Sequence, residues 1–487
     1  MFYWIETFGC QMNVHDSDRM ADVLRASGWQ KAESLENAEL VLFNTCSIRE
    51  KSEQKLRSEV GKLAPLKERR PELIFAVAGC VAQQEGEKLL ARFPVLDLVL
   101  GPDNIPELPR LLEDQRSGAP PVARTVFDID EPRFLTATAD EKRVSAFVTT
   151  MKGCDERCSF CIVPTTRGPE RYRSSDEIVA EVARWVEGGA REIVLLGQTV
   201  DSFRDPALPP AASDDPDESQ FPSLLRKIAD AVPRFDDANP FAPGLLRLRY
   251  TSPHPRHATP SLVAAHREVE ILAEHIHLPV QSGSNRMLRR MIRRYTRETF
   301  IERAAALLAS RPGTTMSSDI IVGFPGETDE DFEETLSLVR EVGFVQVFGF
   351  KFSPRPGTPA LKLGNDVPES KKSERLARLF ELVDAQLAAH LATLVGTRVT
   401  VLVEGASKLG DAFTGRTQRN EIVHLARDLF PEGLELAGQV VEADIVSANK
   451  RSLAGAPTER AMIHLSTLPT HAMRVRTVEK RVLQVVA

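Results

Sequence analysis

The sequence predicts an α/β fold in three parts: an N-terminal domain of parallel βα units, an open partial (β/α)6 barrel, and a small all-β barrel at the C-terminus. Two patterns carry this reading. β-rich runs alternate with helical patterns until about residue 394, as parallel sheets with helical crossovers require. Beyond that point helices give way to short strands separated by Gly396, Gly405, Gly410, Gly415, Gly433 and Gly438, the turn density of a small barrel.

Residues 1–120 form the first part. β-rich runs at Phe2–Thr7, Leu40–Asn44 and Leu73–Ala78 end at Gly9-Cys10, Thr45-Cys46 and Gly79-Cys80, and Asp16/Ser17 cap an amphipathic helix. In a parallel sheet all strand C-termini share one edge, so Cys10, Cys46 and Cys80 are expected to meet there. The plainer alternative is three unrelated loop thiols. Residues near 115–143, with Gly118-Ala119-Pro120-Pro121 and Thr138–Lys142, read as a linker.

The core, 140–380, holds six β-rich runs: Val144–Thr150, Glu192–Gly197, Leu245–Ser252, His275–Val280, Met316–Gly323 and Phe344–Phe352. Six repeats suit an open barrel with its site at the strand C-termini. The first run leads into Cys154, Cys158 and Cys161, spaced Cys-x3-Cys-x2-Cys. Three thiolates can hold three irons of a four-iron cluster and leave the fourth without a protein ligand. A zinc site completed by His is the alternative, but the nearest downstream His is His254, outside zinc-knuckle spacing. Elsewhere Gly323–Glu327 reads equally as a strand-to-helix turn, Ser282–Asn285 as a helix cap, and His254 as a structural histidine.

Arg204–Pro222, rich in Pro, Asp and Ala, predicts a disordered surface insertion. Arg286, Arg290, Arg293, Arg294 and Arg297 fall at offsets 0, 4, 7, 8 and 11, predicting one basic helical face that is either merely solvated or tracks phosphates. A helix at about 371–394 leads to the barrel, 390–456, with strands at Arg398–Glu404, Phe413–Thr417, Ile422–Leu425 and Gln439–Ser447. Residues 457–487 form a tail, whose stretch from Glu459 reads as loose and basic.

A net charge of −7 argues against a surface coated in basic residues. No apolar run approaches a membrane span and the N-terminus lacks a secretory pattern, so a cytoplasmic protein with reduced thiols is expected. All six cysteines lie at or before Cys161, in two groups of three, which is not a disulfide framework.

The Cys154 trio resembles the signature of the radical S-adenosylmethionine enzymes. From about 2 to 456 the chain resembles the methylthiotransferases, whose C-terminal module is the TRAM barrel. The residues that carry this are Thr7-Phe8-Gly9-Cys10-Gln11-Met12-Asn13, Asn44-Thr45-Cys46-Ser47-Ile48-Arg49, Gly79-Cys80, His277–Ser284, Gly323–Glu327 and Ser353–Thr358. The Gly-Cys-Gln-Met-Asn form favours the tRNA branch. Thr165, Thr199, Asp201, Arg294 and the 204–222 insertion depart from the common pattern, and none is expected to touch a cluster ligand.

The resemblance implies two four-iron clusters, an auxiliary one on Cys10, Cys46 and Cys80 and a radical one on Cys154, Cys158 and Cys161, with S-adenosylmethionine at the latter. It implies sulfur and methyl insertion at carbon 2 of an N6-isopentenylated adenosine in a tRNA anticodon stem-loop. One S-adenosylmethionine would methylate the sulfur and a second would yield the radical. An unactivated aromatic C–H is no target for side-chain acid/base chemistry, so no general base is assigned. Gln198 and Ser252, at strand ends, are candidate S-adenosylmethionine contacts, and the five arginines and the barrel are candidate RNA contacts. A flavodoxin-like or ferredoxin-like electron donor and a monomer are expected. A threonylcarbamoylated adenosine or a ribosomal-protein aspartate remains open as substrate, as does a non-catalytic RNA-binding iron–sulfur or zinc module.

Overall fold

The structure is a computed structural model that describes residues 1–47, 50–128, 134, 143–236 and 242–466, apart from the side chains of 50–53, 464 and 466. Ile48, Arg49, Thr138–Lys142 and 467–487 therefore lie outside the described residues.

The N-terminal domain is a wholly parallel six-stranded sheet. Its strands are β1 (Phe2–Phe8), β2 (Gln30–Lys31), β3 (Leu40–Thr45), β4 (Ile74–Gly79), β5 (Leu98–Leu100) and β6 (Val122–Arg124), in the order β2-β1-β3-β4-β5-β6. The three longest are those the sequence predicts; the others have two or three residues, too few for a periodicity to register. β6 draws Val122–Arg124 out of the stretch read as linker. β3 and β4 are buried along their whole length. Leu40 and Leu42 pack on one face while Val41 and Phe43 pack on the other, the alternation of a sheet covered on both sides.

All six predicted core strands form, and a short hairpin joins them. β7 (Ser145–Thr149), β10 (Glu192–Leu196) and β11 (Arg247–Tyr250) make one parallel sheet in the order β11-β10-β7; β8 (Met151–Lys152) and β9 (Arg171–Tyr172) are the hairpin. β12 (His275–His277), β13 (Thr315–Val322) and β14 (Gln346–Lys351) make the second sheet. The two halves are stitched where Leu248 N–H donates to Ile271 O at 2.7 Å and Ala273 N–H donates to Leu248 O at 3.0 Å. The strands thus follow one another round an open, curved wall.

The 25-residue helix Glu369–Thr393 runs from core to barrel, burying Leu379 and Val383 in the first and Leu391 in the second. The barrel closes with five strands, one more than predicted: β15 (Arg398–Ala406), β16 (Ala412–Arg416), β17 (Ile422–Ala426), β18 (Val440–Ala448) and β19 (Leu453–Pro457), in the order β15-β16-β17-β19-β18. Arg247 of β11 donates to the carbonyls of Arg416 and Thr417, which docks the barrel on the core.

Four expectations are corrected. Asp16 and Ser17 do not cap the first helix but lie inside it, because Gln11–Ala26 starts directly behind Cys10. The tail is not loose throughout: Glu459–Ser466 is a helix whose Ala461 and Leu465 are buried against the barrel. The insertion is ordered. Asp205 accepts from Ser175 N–H at 2.9 Å, Gln220 donates to Pro209 O at 2.7 Å, and Asp217 pairs with Arg256 while its carbonyl receives His257 Nδ1 at 2.7 Å. Composition cannot register partners supplied by distant loops. Finally, the arginine run is not one helix. Asn285–Arg290 is helical, Ile292 turns left-handed at φ +58°, and a second helix starts at Arg297 behind a Thr296 cap.

Candidate functional site

The expected convergence of the N-terminal thiols follows from strand register. Phe8, Thr45 and Gly79 are direct partners across three adjacent strands, and Cys10, Cys46 and Cys80 follow within two residues of that row. A buried amide pair holds the loops together. Asn13 Nδ2 donates to Asn44 Oδ1 at 3.1 Å, while Asn44 Nδ2 donates to Asn13 O at 2.7 Å and to Ser17 Oγ at 2.9 Å. Cys10 Sγ in turn lies 3.3 Å from Asn13 Oδ1. This explains the asparagines of the two Cys motifs. The glycines answer to crowding: a Cβ on Gly9 would lie 2.9 Å from Cys46 Cβ, and Gly79 has φ +91° with no room for a side chain.

The second trio caps β7 and β8. Cys154 Sγ lies 2.9 Å from Thr199 Oγ1 just past β10, so Thr199 does touch a candidate ligand, against expectation. Cys154 N–H donates to Gly168 O at 3.1 Å, and Ser159 N–H and Oγ donate to Met291 O and Arg290 O at 2.9 and 2.8 Å. All six cysteines are free. Their environments differ. A hydrogen bond from Cys46 brings the Cys10 thiol down to about 6, whereas burial pushes Cys80 up and drives Cys154 and Cys161 to about 12. Burial alone disfavours those thiolates, so ligation by metal is what would stabilise them. Among the described residues no three His, Cys, Asp or Glu side chains converge as ligands of one metal ion; a four-iron cluster gives each thiolate its own iron.

One short helix, Val163–Arg167, lies between the trios. Arg167 donates to Asp16 Oδ2 at 2.6 Å, and its buried guanidinium also faces Cys80 and Cys10. Burial opposes this charge, but Asp16 and the two thiols hold its pKa well above the ordinary value. Further pairs fix the domains: Arg143 with Asp18 at 2.6 Å, and Lys152 and Arg171 with Asp103 at 3.1 and 2.6 Å. His15 on the same helix as Asp16 meets Thr149 Oγ1 at 3.2 Å, and burial keeps it neutral.

Gln198 and Ser252 end β10 and β11 side by side, Val200 N–H donating to Ser252 O at 3.3 Å. Ser252 is held at φ +57°, a conformation uncommon outside glycine and concentrated at functional sites. Both amide atoms of Gln198 are buried without a partner among the described residues. So are Asp201 Oδ2 and His254 Nε2, although Asp201 Oδ1 accepts from His254 N–H at 2.8 Å. Burial drives Asp201 well above the carboxylate range and His254 well below the imidazole range. Buried polar atoms are normally satisfied, and of these three side chains only Gln198 belongs to a residue that is not itself buried.

The five arginines separate. Arg286 pairs with Asp331, Arg290 donates to Pro325 O at 3.0 Å, and Arg297 reaches Glu341 at 2.9 Å. Arg294 stays half exposed near Glu156, whereas Arg293 turns inward to the second trio. Glu327 is structural. Buried, it accepts from Gly323 N–H at 2.6 Å and Arg375 at 2.7 Å, and burial pushes it up to about 7. Sequence reasoning missed Arg167 and the orphaned atoms of Asp201 and His254, and counted Arg293 among the RNA contacts although it turns to Cys158, because no local pattern marks any of these.

Two family models match the chain: "Uncharacterized protein family UPF0004" over residues 3–101 and "Radical SAM superfamily" over 148–339. Among curated relatives, a tRNA-2-methylthio-N(6)-dimethylallyladenosine synthase of Sorangium cellulosum is 60% identical over 479 residues, covering 94% of each chain. Proteins of the same name from Geobacter metallireducens and Acidithiobacillus ferrooxidans are 44% and 43% identical, covering 93% and 94% of this chain and 97% and 99% of their own.

Proposed function

The chain belongs to the family of tRNA-2-methylthio-N(6)-dimethylallyladenosine synthases, and from that membership we propose that it converts N6-isopentenyladenosine beside the tRNA anticodon to its 2-methylthio derivative. The single observation that carries the reading is the pairing of two separate three-thiol sites across one short helix, Val163–Arg167. A cluster-dependent methylthiolation needs two such sites close together.

We assign Cys10, Cys46 and Cys80 to the auxiliary four-iron cluster and Cys154, Cys158 and Cys161 to the radical one. When bound, the clusters and S-adenosylmethionine supply the electron, the radical, the sulfur and the methyl group. The residues supply placement. Gln198, through its unpartnered amide, would help hold S-adenosylmethionine, and Ser252 would shape the adjacent backbone. Arg167, held by Asp16, keeps the auxiliary loops against the radical loop, so that a nucleobase reached by one is reached by the other. The target base leaves its stack to enter between them. Arg286 and Arg294, with exposed guanidinium groups on the rim, and the C-terminal barrel are the surfaces proposed for tRNA phosphates.

Among the described residues no helix is long and apolar enough to cross a membrane. A monomer in the cytoplasm, reduced by a flavodoxin-like or ferredoxin-like donor, completes the proposal.

The test is nucleoside mass spectrometry of tRNA from a bacterial host lacking its own methylthiolating enzyme, with and without this gene. Appearance of 2-methylthio-N6-isopentenyladenosine is the expected result. Persistence of the isopentenyl nucleoside alone, with cluster-loaded protein present, would overturn the substrate and direct the search to threonylcarbamoyladenosine.

A further inference from the structure

Arg293 is 9% exposed, yet among the described residues no carboxylate lies within ion-pair distance of it. Its nitrogens are committed elsewhere. Nη1 donates to Cys158 Sγ at 3.2 Å, Nη2 to Pro279 O at 3.0 Å, and Nε to Tyr295 OH at 2.9 Å. The Tyr295 hydroxyl then donates to Val280 O at 2.9 Å, and its ring lies 5.1 Å from the guanidinium. A buried cation is costly unless an anion faces it. The Cys158 sulfur would supply that anion on ligating a metal, and the carboxyl of Asp201 also faces the guanidinium.

The turn that delivers Arg293 closes on its own helix and is braced by the cysteine loop. Ile292, β-branched, sits at φ +58°, a region such residues seldom occupy. The helix's own closing bonds keep it there, Ile292 N–H donating to Arg289 O at 3.1 Å and Arg293 N–H to Leu288 O at 2.9 Å, and Ser159, the neighbour of Cys158, braces the turn by donating to Met291 O and Arg290 O. Loop and arginine hold each other.

We propose that Arg293 sets the one-electron potential of the radical cluster through Cys158, acting as a tuning residue that touches neither S-adenosylmethionine nor RNA. The inference rests on the assignment of Cys154, Cys158 and Cys161 to a four-iron cluster. Reduction adds one negative charge to a group in a dry site. A guanidinium bonded to a ligating sulfur favours the more negative state and raises the potential, which lets a cellular one-electron donor load the cluster.

The experiment uses the full chain with Cys10, Cys46 and Cys80 replaced by Ala, so that only one cluster contributes. After anaerobic reconstitution and an iron count, the midpoint potential is read by EPR-monitored titration without S-adenosylmethionine. Arg293→Met should move the midpoint to more negative values. Arg293→Lys should move it less, because the charge stays while the fixed fork is lost. Tyr295→Phe, which keeps the charge and removes one orienting bond, should also shift it less than Arg293→Met. Midpoints equal to the parent's in Arg293→Met and Tyr295→Phe would overturn the proposal. If Arg293→Met takes up no iron, Arg293→Lys and Tyr295→Phe decide by the same criterion. A parent that binds fewer than about four irons would instead sink the cluster assignment.

Discussion

Gly79→Ala gives the sharpest test of how the first trio is assembled. Gly79 has φ +91°, and a Cβ there would lie 2.3 Å from Asn44 Oδ1 and 2.8 Å from Thr45 O. The conformation alone costs on the order of 1–3 kcal/mol for a residue with a side chain. The Asn44 side chain can move only by giving up its bonds to Asn13 and Ser17, each of about 0.5–1.5 kcal/mol. The Thr45 carbonyl belongs to β3 and cannot retreat without breaking the row that aligns the cysteines. With three such bonds the sum is roughly 2.5–7.5 kcal/mol, or about 10 °C or more in the unfolding midpoint of a domain this size. Two readouts are needed: thermal unfolding of the metal-free protein by circular dichroism, and iron per chain after reconstitution. Iron should fall from about eight toward about four, because Cys80 is displaced while the Cys154 trio is untouched. Adding Asn44→Ala should relieve the side-chain clash but not the backbone one, so the double variant should stay impaired. A Gly79→Ala protein that unfolds at the wild-type temperature and loads full iron would refute the reasoning.

Asp16→Asn leaves the buried Arg167 without its carboxylate, and breaking such a pair costs about 3–5 kcal/mol; differential scanning calorimetry should show a lowered midpoint, and an unchanged one would mean that the domains do not depend on this contact. Gln198→Ala removes two buried, unpartnered atoms, so stability should hold or rise while S-adenosylmethionine binding weakens by tenfold or so in calorimetric titration; undiminished affinity would remove Gln198 from the site. Glu327, raised to about 7 in the fold against about 4.5 when unfolded, binds its proton more tightly in the folded state. Its contribution is therefore fully present below about pH 4.5 and is lost as pH rises through about 7, a change of about 3 kcal/mol. Urea unfolding of wild type and Glu327→Gln across that window should show the difference moving in the variant's favour as pH rises, and a pH-independent difference would contradict the burial argument.

The sequence by itself determined the three-part architecture, the long strands and the six thiols, because each is written in residues close to one another. A Cys-x3-Cys-x2-Cys run needs no tertiary information to bring three thiols into one loop. Likewise a Cys placed just after each of three strands lies on one edge of a parallel sheet, although only the strand order, with β1, β3 and β4 adjacent, makes the three meet. Short strands such as β2 and β6 were invisible because two or three residues carry no period, and their pairing depends on a neighbour already in place. The arginine run shows the limit most clearly. Helical spacing from Arg286 to Arg297 presupposes an unbroken helix, whereas the helix closes at a left-handed Ile292 in a turn braced by Ser159, 131 residues away in sequence from Arg290. The same holds for the 204–222 insertion, whose polar composition suits water until Arg256 and His257 present themselves as partners. Tertiary structure alone decided which charges turn inward, Arg167 to the first trio and Arg293 to the second. Burial of a charge is settled by the anion that faces it, and here the facing group comes from a distant part of the chain.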